Sequence, residues 1–502
     1  MKYIVLIMSL CTSVVFSQTI NDAILFSSEH SLGSARYNAM SGAFGALGGD
    51  FSAMNDNPAG SAVFKNSLIS GSLMYINASN DAAYFGTLAN ESHANLTLNQ
   101  LGGALVFNNT NENSEWKKFV LALNYQQTQN YDRQYYIAGD GTTSVNSYFL
   151  SQANGLYFED IQALPGEYLE DAYLEIGEYY GFDHQQAFLG YYGGVIDPVD
   201  AADPLNTMYV GTATIDASGT VQQEYFYDQY GANSKFNFNL ATQYKDDLYL
   251  GVSFNGNYID MQRNSRIHES GYDTASALNY VVFDNYLRTT GGGFSMQVGA
   301  IGKVGDILRL GASFQTPTWY VLTDELSQRI DSNLADVDIG YINENQVSVF
   351  EDYNLRTPMK LTGSAAIVFG KQGLLSVDYN YQDYNNMKMK PSADFNMANA
   401  QISNTLQGAS SVNLGGEYRV DRWSLRAGYR FEESPYKNKN IMDDLTGYSL
   451  GFGYNFGRTK FDFAYNQSKQ DVSHQLYETG LTNRAKINEC RSAVTASLTF
   501  NF

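Results

Sequence analysis

The sequence of 502 residues predicts an all-β protein, a 14-stranded antiparallel transmembrane β-barrel with an N-terminal hatch in its lumen. Three observations predict it. The chain begins with the leader of an exported protein, yet no later segment has the roughly 18 consecutive apolar residues that a spanning helix needs. Segment after segment alternates with period two between apolar and small polar residues, as a strand with lipid on one side and a wet lumen on the other must. The connections between those segments alternate in length, and the chain ends on an aromatic residue, Phe502. Composition agrees, because 17% charged residues is poor for a soluble chain of this length. A formal net charge of −21 excludes nucleic acid and any broad basic membrane-binding face.

In chain order, Lys2 heads an apolar run from Ile4 to Phe16, followed by Ser17 and Gln18. This is the pattern of a cleaved signal peptide over 1–17, and the run is too short to span a bilayer. Its removal leaves Cys490 as the one cysteine, so neither a disulfide nor a cysteine-held metal is expected. Residues 18–64 lack period two. A barrel of fourteen strands encloses a lumen too wide for its own side chains to fill. A segment rich in Gly and Ala packs closely there, since its backbone can approach the wall. Residues 18–64 are therefore read as the hatch, with Asn55, Asp56 and Asn57 offering polar tips to the wall.

Residues 65–502 make the barrel. Strands are expected near 67–77, 95–108, 119–138, 222–244, 248–262, 286–304, 307–322, 353–369, 373–388, 409–420, 423–436, 445–457, 459–475 and 487–502. In "KFNFNLATQY", Phe236, Phe238 and Leu240 face lipid while Asn237, Asn239 and Gln243 face the lumen. "WSLRAGYRF" sets Trp423, Leu425 and Tyr429 outward against Arg426, Gly428 and Arg430, and Val494, Ala496, Leu498, Phe500 and Phe502 share the outer face of the last strand. The tight links Lys245-Asp246-Asp247, Val304-Gly305-Asp306 and Asp421-Arg422 belong to one end, the periplasmic one. The other end carries longer loops, the longest an extracellular one at about 139–221.

With the strands in place, "SARYNAMSGAFGALGGDFSAMNDNPAGSAVF" (34–64) resembles the N-terminal hatch of the outer-membrane long-chain fatty-acid transporters (FadL/TodX type). Asn57-Pro58-Ala59 matches that hatch's Asn-Pro-Ala motif, and Gly60 after it is also typical. "LRLGASFQTPTWY" (308–320) and "VNLGGEYRVDRWSLRAGYR" (412–430) resemble later strands of a distant branch common in Bacteroidota. The resemblance implies a cell outer membrane location and a hydrophobic small-molecule ligand, long-chain fatty acids or similar hydrocarbons, taken up by diffusion. It implies capture by outer loops, movement of a hatch centred on Asn57, Pro58 and Ala59, and sideways release beside a kinked third strand, without enzyme chemistry or a cofactor. One departure stands out: the longest outer segment lies between the third and fourth strands. The loops at 263–285 and 323–352, which correspond to the family's capture loops, are modest, so the way in is expected to differ.

Within the long loop, Leu169, Tyr173, Ile176 and Tyr180 recur at helical spacing. They form either a groove in which an acyl chain or aromatic hydrocarbon docks, or the small core of a loop cap. The acidic surroundings favour neutral hydrophobes over anions. Inward-facing cations are the natural partners of a ligand carboxylate. Arg309, Lys360, Arg426 and Arg430 have lumenal parity. Arg426 falls opposite Glu417 across a tight hairpin, which makes it a bracing ion pair. Arg309, placed across from Ile301, and Arg430 are left as ligand-binding candidates. Asp197, Asp200 and Asp203 read as a solvated loop, or as a contact to metal-bridged lipopolysaccharide, rather than as a cation site. The five histidines are scattered, and no Gly-x-Ser-x-Gly elbow or His-x-x-x-His pair occurs, so neither an enzyme nor a metal is expected. Beyond the ligand, the expected partners are outer-membrane lipid and lipopolysaccharide. The alternative function is a structural or shuttle barrel of a protein secretion system, with secretion-system proteins docking on 139–221.

Overall fold

The computed structural model describes residues 19–29, 32–111, 113–215 and 219–502, so the expected signal peptide lies outside the described residues. Each period-two segment forms a strand, and each strand pairs antiparallel with its neighbours in sequence until the fourteenth closes on the first. The strands are β1 (Leu68–Tyr84), β2 (Thr87–Asn108), β3 (Trp116–Asn130, then Arg133–Gly141), β4 (Val221–Tyr244), β5 (Leu248–Ser270) and β6 (Tyr280–Val304). They continue as β7 (Leu308–Gln315, then Trp319–Ser332), β8 (Tyr353–Arg356, then Lys360–Phe369), β9 (Gly373–Asp383) and β10 (Gly408–Val420). The last four are β11 (Trp423–Glu432), β12 (Leu445–Asn455), β13 (Thr459–Gln475) and β14 (Arg484–Asn501). Closure sets Leu68 opposite Asn501 and Ala83 opposite Lys486. Leu105, Leu123, Leu310, Leu425, Leu450 and Leu498 stand exposed on the outside, and Asn237, Asn239, Arg426 and Thr495 are buried inside, as the alternation requires. Trp116 against Tyr244, and Trp423 against Tyr454, mark an aromatic girdle at the short-turn end.

Three features depart from the sequence reading. β1 and β2 run on past the membrane to a tight turn at Phe85-Gly86, and β5, β6 and β7 likewise lengthen, so the loops expected at 263–285 and 323–352 shrink to 271–279 and 333–352. The lumenal face of these extensions is buried, with Ile267 of β5, Phe283 of β6 and Ile330 of β7 turned inside. The expected strand 119–138 is broken. Tyr131 turns fully into the interior, and the Asp132 carboxylate accepts from the side-chain amides of Asn95 and Asn130, both at 3.0 Å. Opposite the break, Gly231 of β4 has φ +118°, which disfavours any residue with a Cβ. The turn after β6 is Gly305-Asp306-Ile307, one residue later than expected, so Arg309 pairs across from Lys303 and not from Ile301.

The lumen holds two bodies. From the short-turn end comes the N-terminal segment, with α1 (Ile20–Ser27), α2 (Ala35–Asn38) and two 3-10 turns, Ser52–Asn55 and Pro58–Val63. At the outer end, residues 142–215 fold into a cap of α3 (Asn146–Ala153), α4 (Leu169–Tyr180) and α5 (Phe182–Tyr192). Gly181, at φ +100°, makes the sharp corner between α4 and α5. A last helix, α6 (Asn396–Thr405), lies in the connection between β9 and β10.

Candidate functional site

The hatch forms the floor of the site, and small residues on both sides bring it against the wall. Gly251 of β5 and Gly299 of β6 lie opposite each other on the lumenal face. A Cβ on Gly251 would lie 2.4 Å from the Pro58 carbonyl carbon, and one on Gly299 would lie 2.2 Å from Asn57 Oδ1. Gly415 and Gly428, paired across β10 and β11, meet the backbone of Met40 in the same way. Only glycine leaves room for a second backbone at these distances.

The contacts formed at that range are directional. Asn57 Nδ2 donates to Gly45 O at 2.8 Å and to Ala300 O of the wall at 2.9 Å, while its Oδ1 accepts from Ala59 N at 3.1 Å. Pro58 begins the following 3-10 turn, and its carbonyl accepts from Asn239 Nδ2 at 2.9 Å. Gln297 Nε2 donates to the carbonyls of Asn55 and Asp56, both at 3.1 Å. Phe44 N and Gly45 N donate to Asp378 of β9. Ion pairs add to this: Lys235 to Glu29 at 2.5 Å, Arg263 to Asp22 at 2.5 Å, Arg36 to Glu417 at 3.0 Å and Lys360 to Asp56 at 3.7 Å. Glu417 also receives Arg426, as its hairpin position predicts, and Arg419. Burial pushes the Asp56 carboxyl up to about 6, against the pull of the Lys360 ammonium.

The cap forms the roof. Phe149, Ile161, Tyr173 and Phe188 are fully buried and join Tyr225, Ile267, Phe283, Ile330 and Ile487 of the wall in one apolar cluster. Leu169, Tyr173 and Ile176 are thus the inward face of α4 and not an open groove. Tyr173 is additionally fixed through its hydroxyl to Gln328 at 3.0 Å. Tyr180, 40% exposed, stacks on His184 at the end of the helix. Burial of an amphipathic helix's apolar stripe against the nearest apolar wall explains the correction.

Between floor and roof lies a cavity of about 1000 Å³. Ile24 and Leu25 of α1, Asn55 and Asp56 of the hatch, Gln328 and Lys360 of the wall, and Tyr148, Phe182 and Asp183 of the cap all line it. Met397 of α6, 73% exposed, and the exposed Gln401 and Glu478 carry the lining out to the surface, so the mouth opens beside α6. Neither Arg309 nor Arg430 is among the lining residues. Arg309 donates to Leu47 O of the hatch at 3.2 Å, and Arg430 Nε lies 3.0 Å from Glu432 Oε1. Both were lumenal by parity, but each is occupied by a partner on the hatch or wall.

One side of the wall is unpaired. β2 and β3 are in register only from Gln100↔Gln126 to Asn108↔Lys118. Beyond that, β3 swings inward, with Gln134 O accepting from Asn80 Nδ2 at 2.9 Å beneath β1. Among the described residues no strand is hydrogen-bonded to that side of β2 from Thr87 to Asn99, and Leu88, Leu96 and Leu98 are exposed. Sequence reasoning missed the wall glycines, the position of α1 and the role of α6. Of these, the glycines left a signal, since Gly251, Gly299, Gly415 and Gly428 all fall on lumenal positions of period-two strands.

The family model described as outer membrane protein transport protein (OMPP1/FadL/TodX) matches residues 224–502. Among solved structures, the chain resembles a FadL homologue from Pseudomonas aeruginosa at 12% identity, covering 94% of this chain and 99% of that one, with a TM-score of 0.54. It resembles the toluene transporter TodX of Pseudomonas putida at 13% identity, covering 95% and 100%, with a TM-score of 0.51. The toluene transporter TbuX of Ralstonia pickettii gives 13%, 94%, 99% and 0.50 in the same order. At these identities the likeness is one of fold. No curated protein matches the chain by sequence.

Proposed function

The chain belongs to the outer-membrane transport protein family (OMPP1/FadL/TodX), a family of hydrophobic-compound transporters and not of enzymes, and from that premise we propose a specific route through it. A slender hydrophobic compound, a long-chain fatty acyl compound or similar hydrocarbon, enters at the mouth beside α6 and settles in the cavity above the hatch. The hatch then shifts about Asn57, Pro58 and Ala59, and the compound leaves sideways between β2 and β3. No step needs chemistry; each needs only a difference in ligand affinity between two hatch positions.

The observation that carries this reading is the conjunction of a cavity of about 1000 Å³, open beside α6, with an unpaired β2–β3 seam in the wall. That volume is in the range of pockets that bury a whole small molecule. Asn95 and Asp132, whose side chains meet at 3.0 Å across the seam, offer the test. In Asn95→Cys/Asp132→Cys, the disulfide should stop uptake of radiolabelled dodecanol by cells, and reduction should restore it. Uptake that continues at the original rate through the oxidised barrel removes the lateral route. Mass spectrometry of protein drawn from outer membranes bears on the whole reading: slender amphiphiles at near one per barrel support it, and stoichiometric secretion proteins around an empty lumen replace it with the shuttle.

A further inference from the structure

Charges around the cavity are arranged in a way that bears on what it accepts, taking as given that it is the ligand's site on the transport route. Four cations line it, and each is already engaged. Lys360 faces Asp56 at 3.7 Å, Arg263 faces Asp22 at 2.5 Å, and Arg133 faces Glu489 at 3.5 Å. Arg484, at the rim, donates to Gln475 Oε1 at 2.5 Å and lies 3.5 Å from Ser473 O. The carboxylates are more numerous than the cations. Asp183, Asp394 and Glu478 line the cavity and form no ion pair among the described residues. Glu432 also lines the cavity and is paired with Arg430, which does not.

Uncharged groups supply the rest. Ile24, Leu25, Phe395 and Met442 give apolar surface, while Gln129 and Asn413 line the cavity with carbonyl oxygens, Oε1 and Oδ1, that are buried and accept no hydrogen bond from the described residues.

We propose that the cavity selects an uncharged amphiphile, an apolar body carrying a neutral hydrogen-bond-donating head, and excludes the carboxylate of a fatty acid. A carboxylate that passes the rim, where Arg484 has no acid partner among the described residues, must either break an existing ion pair or lie away from water without one, and both outcomes are costly. A hydroxyl loses only its water contacts and regains a hydrogen bond on an orphaned carbonyl.

Two ligands of one chain length separate the possibilities. Full-length protein in phosphatidylcholine nanodiscs is titrated calorimetrically with dodecanol and with laurate at pH 7.5. Dodecanol should bind at about one per barrel and at least tenfold tighter than laurate. In Glu432→Gln, which leaves Arg430 without its partner, laurate affinity should rise about tenfold relative to dodecanol. Laurate binding as tightly as dodecanol to the wild-type protein overturns the proposal while leaving the transport reading intact. Binding of neither ligand overturns the transport reading of the cavity, and this proposal with it.

Discussion

The hatch at the periplasmic end and the cap at the outer end both fill the lumen, yet the hatch meets the wall at glycine notches, with directional bonds and several small apolar clusters, while the cap shares one large apolar cluster with it. Around Asn57 the wall contact is a single directional bond, from Nδ2 to Ala300 O at 2.9 Å, set beside notches that glycines leave in the wall. Around Phe149 the wall contact is a tilted ring pair, with Phe283 at 5.1 Å. A net hydrogen bond contributes about 1 kcal/mol and can be exchanged for another one residue along. A shared apolar core yields only by exposing area to water. Seating of the hatch thus rests on glycine notches and directional bonds, and seating of the cap on one large apolar cluster.

The largest expected effect comes from filling a notch. Gly299→Val puts side-chain atoms where Asn57 and Pro58 sit, so the hatch cannot seat, and purified protein in planar bilayers should show a large steady conductance. Gly302→Val, whose Cβ would meet nothing within 4 Å, should remain silent. Equal conductance from both variants would mean that glycine notches do not hold the hatch.

Cap variants should behave differently. Phe149→Ala removes a fully buried ring and should cost the cap about 3–5 kcal/mol. Faster proteolysis within 142–215 is expected, with the bilayer still silent because the hatch remains seated. A steady current from this variant would show that the roof, and not the floor, is the seal.

Asn57→Ala removes the bond to Ala300 of the wall, and a bond within the hatch to Gly45, and should weaken seating by about 1 kcal/mol. Brief channel openings are expected in place of a steady current. The smallest effect is one of pH. Burial raises the docked Asp56 carboxyl to about 6, whereas a solvated aspartate titrates near ~3.9. The docked hatch therefore binds the proton more tightly, and this contribution to docking is complete below pH ~4 and lost as pH rises through about 6. Protection factors in the hatch, corrected for the base-catalysed intrinsic rate, should fall over that interval, and Asp56→Asn should make them flat.

Much of the wall was legible in the sequence. Period two assigns each residue to lipid or lumen from its own short segment, which is why the faces of β4, β11 and β14 agree with the alternation, and why Glu417 and Arg426 were matched across the two-residue turn Asp421-Arg422. The helical spacing of Leu169, Tyr173 and Ile176 likewise appears as α4. The hatch motif was visible as composition without period.

What stands opposite a residue across the lumen was not legible. Lys235 and Glu29 are 206 positions apart, and their meeting depends on barrel closure and on how far the N-terminal segment threads upward. Arg309 and Arg430 show the same limit: parity put both inside the barrel, but only the packed structure set Leu47 against one and Glu432 against the other. The inward turn of β3 is of this kind too, since it needs Asp132, Asn95 and Gly231 from three strands together. The sequence by itself determined the strands, their faces and the hatch, because alternation and backbone freedom are local properties. The tertiary structure decided which cations are free, which helix face is covered and where the wall is unpaired, because those depend on contacts between segments far apart in the chain.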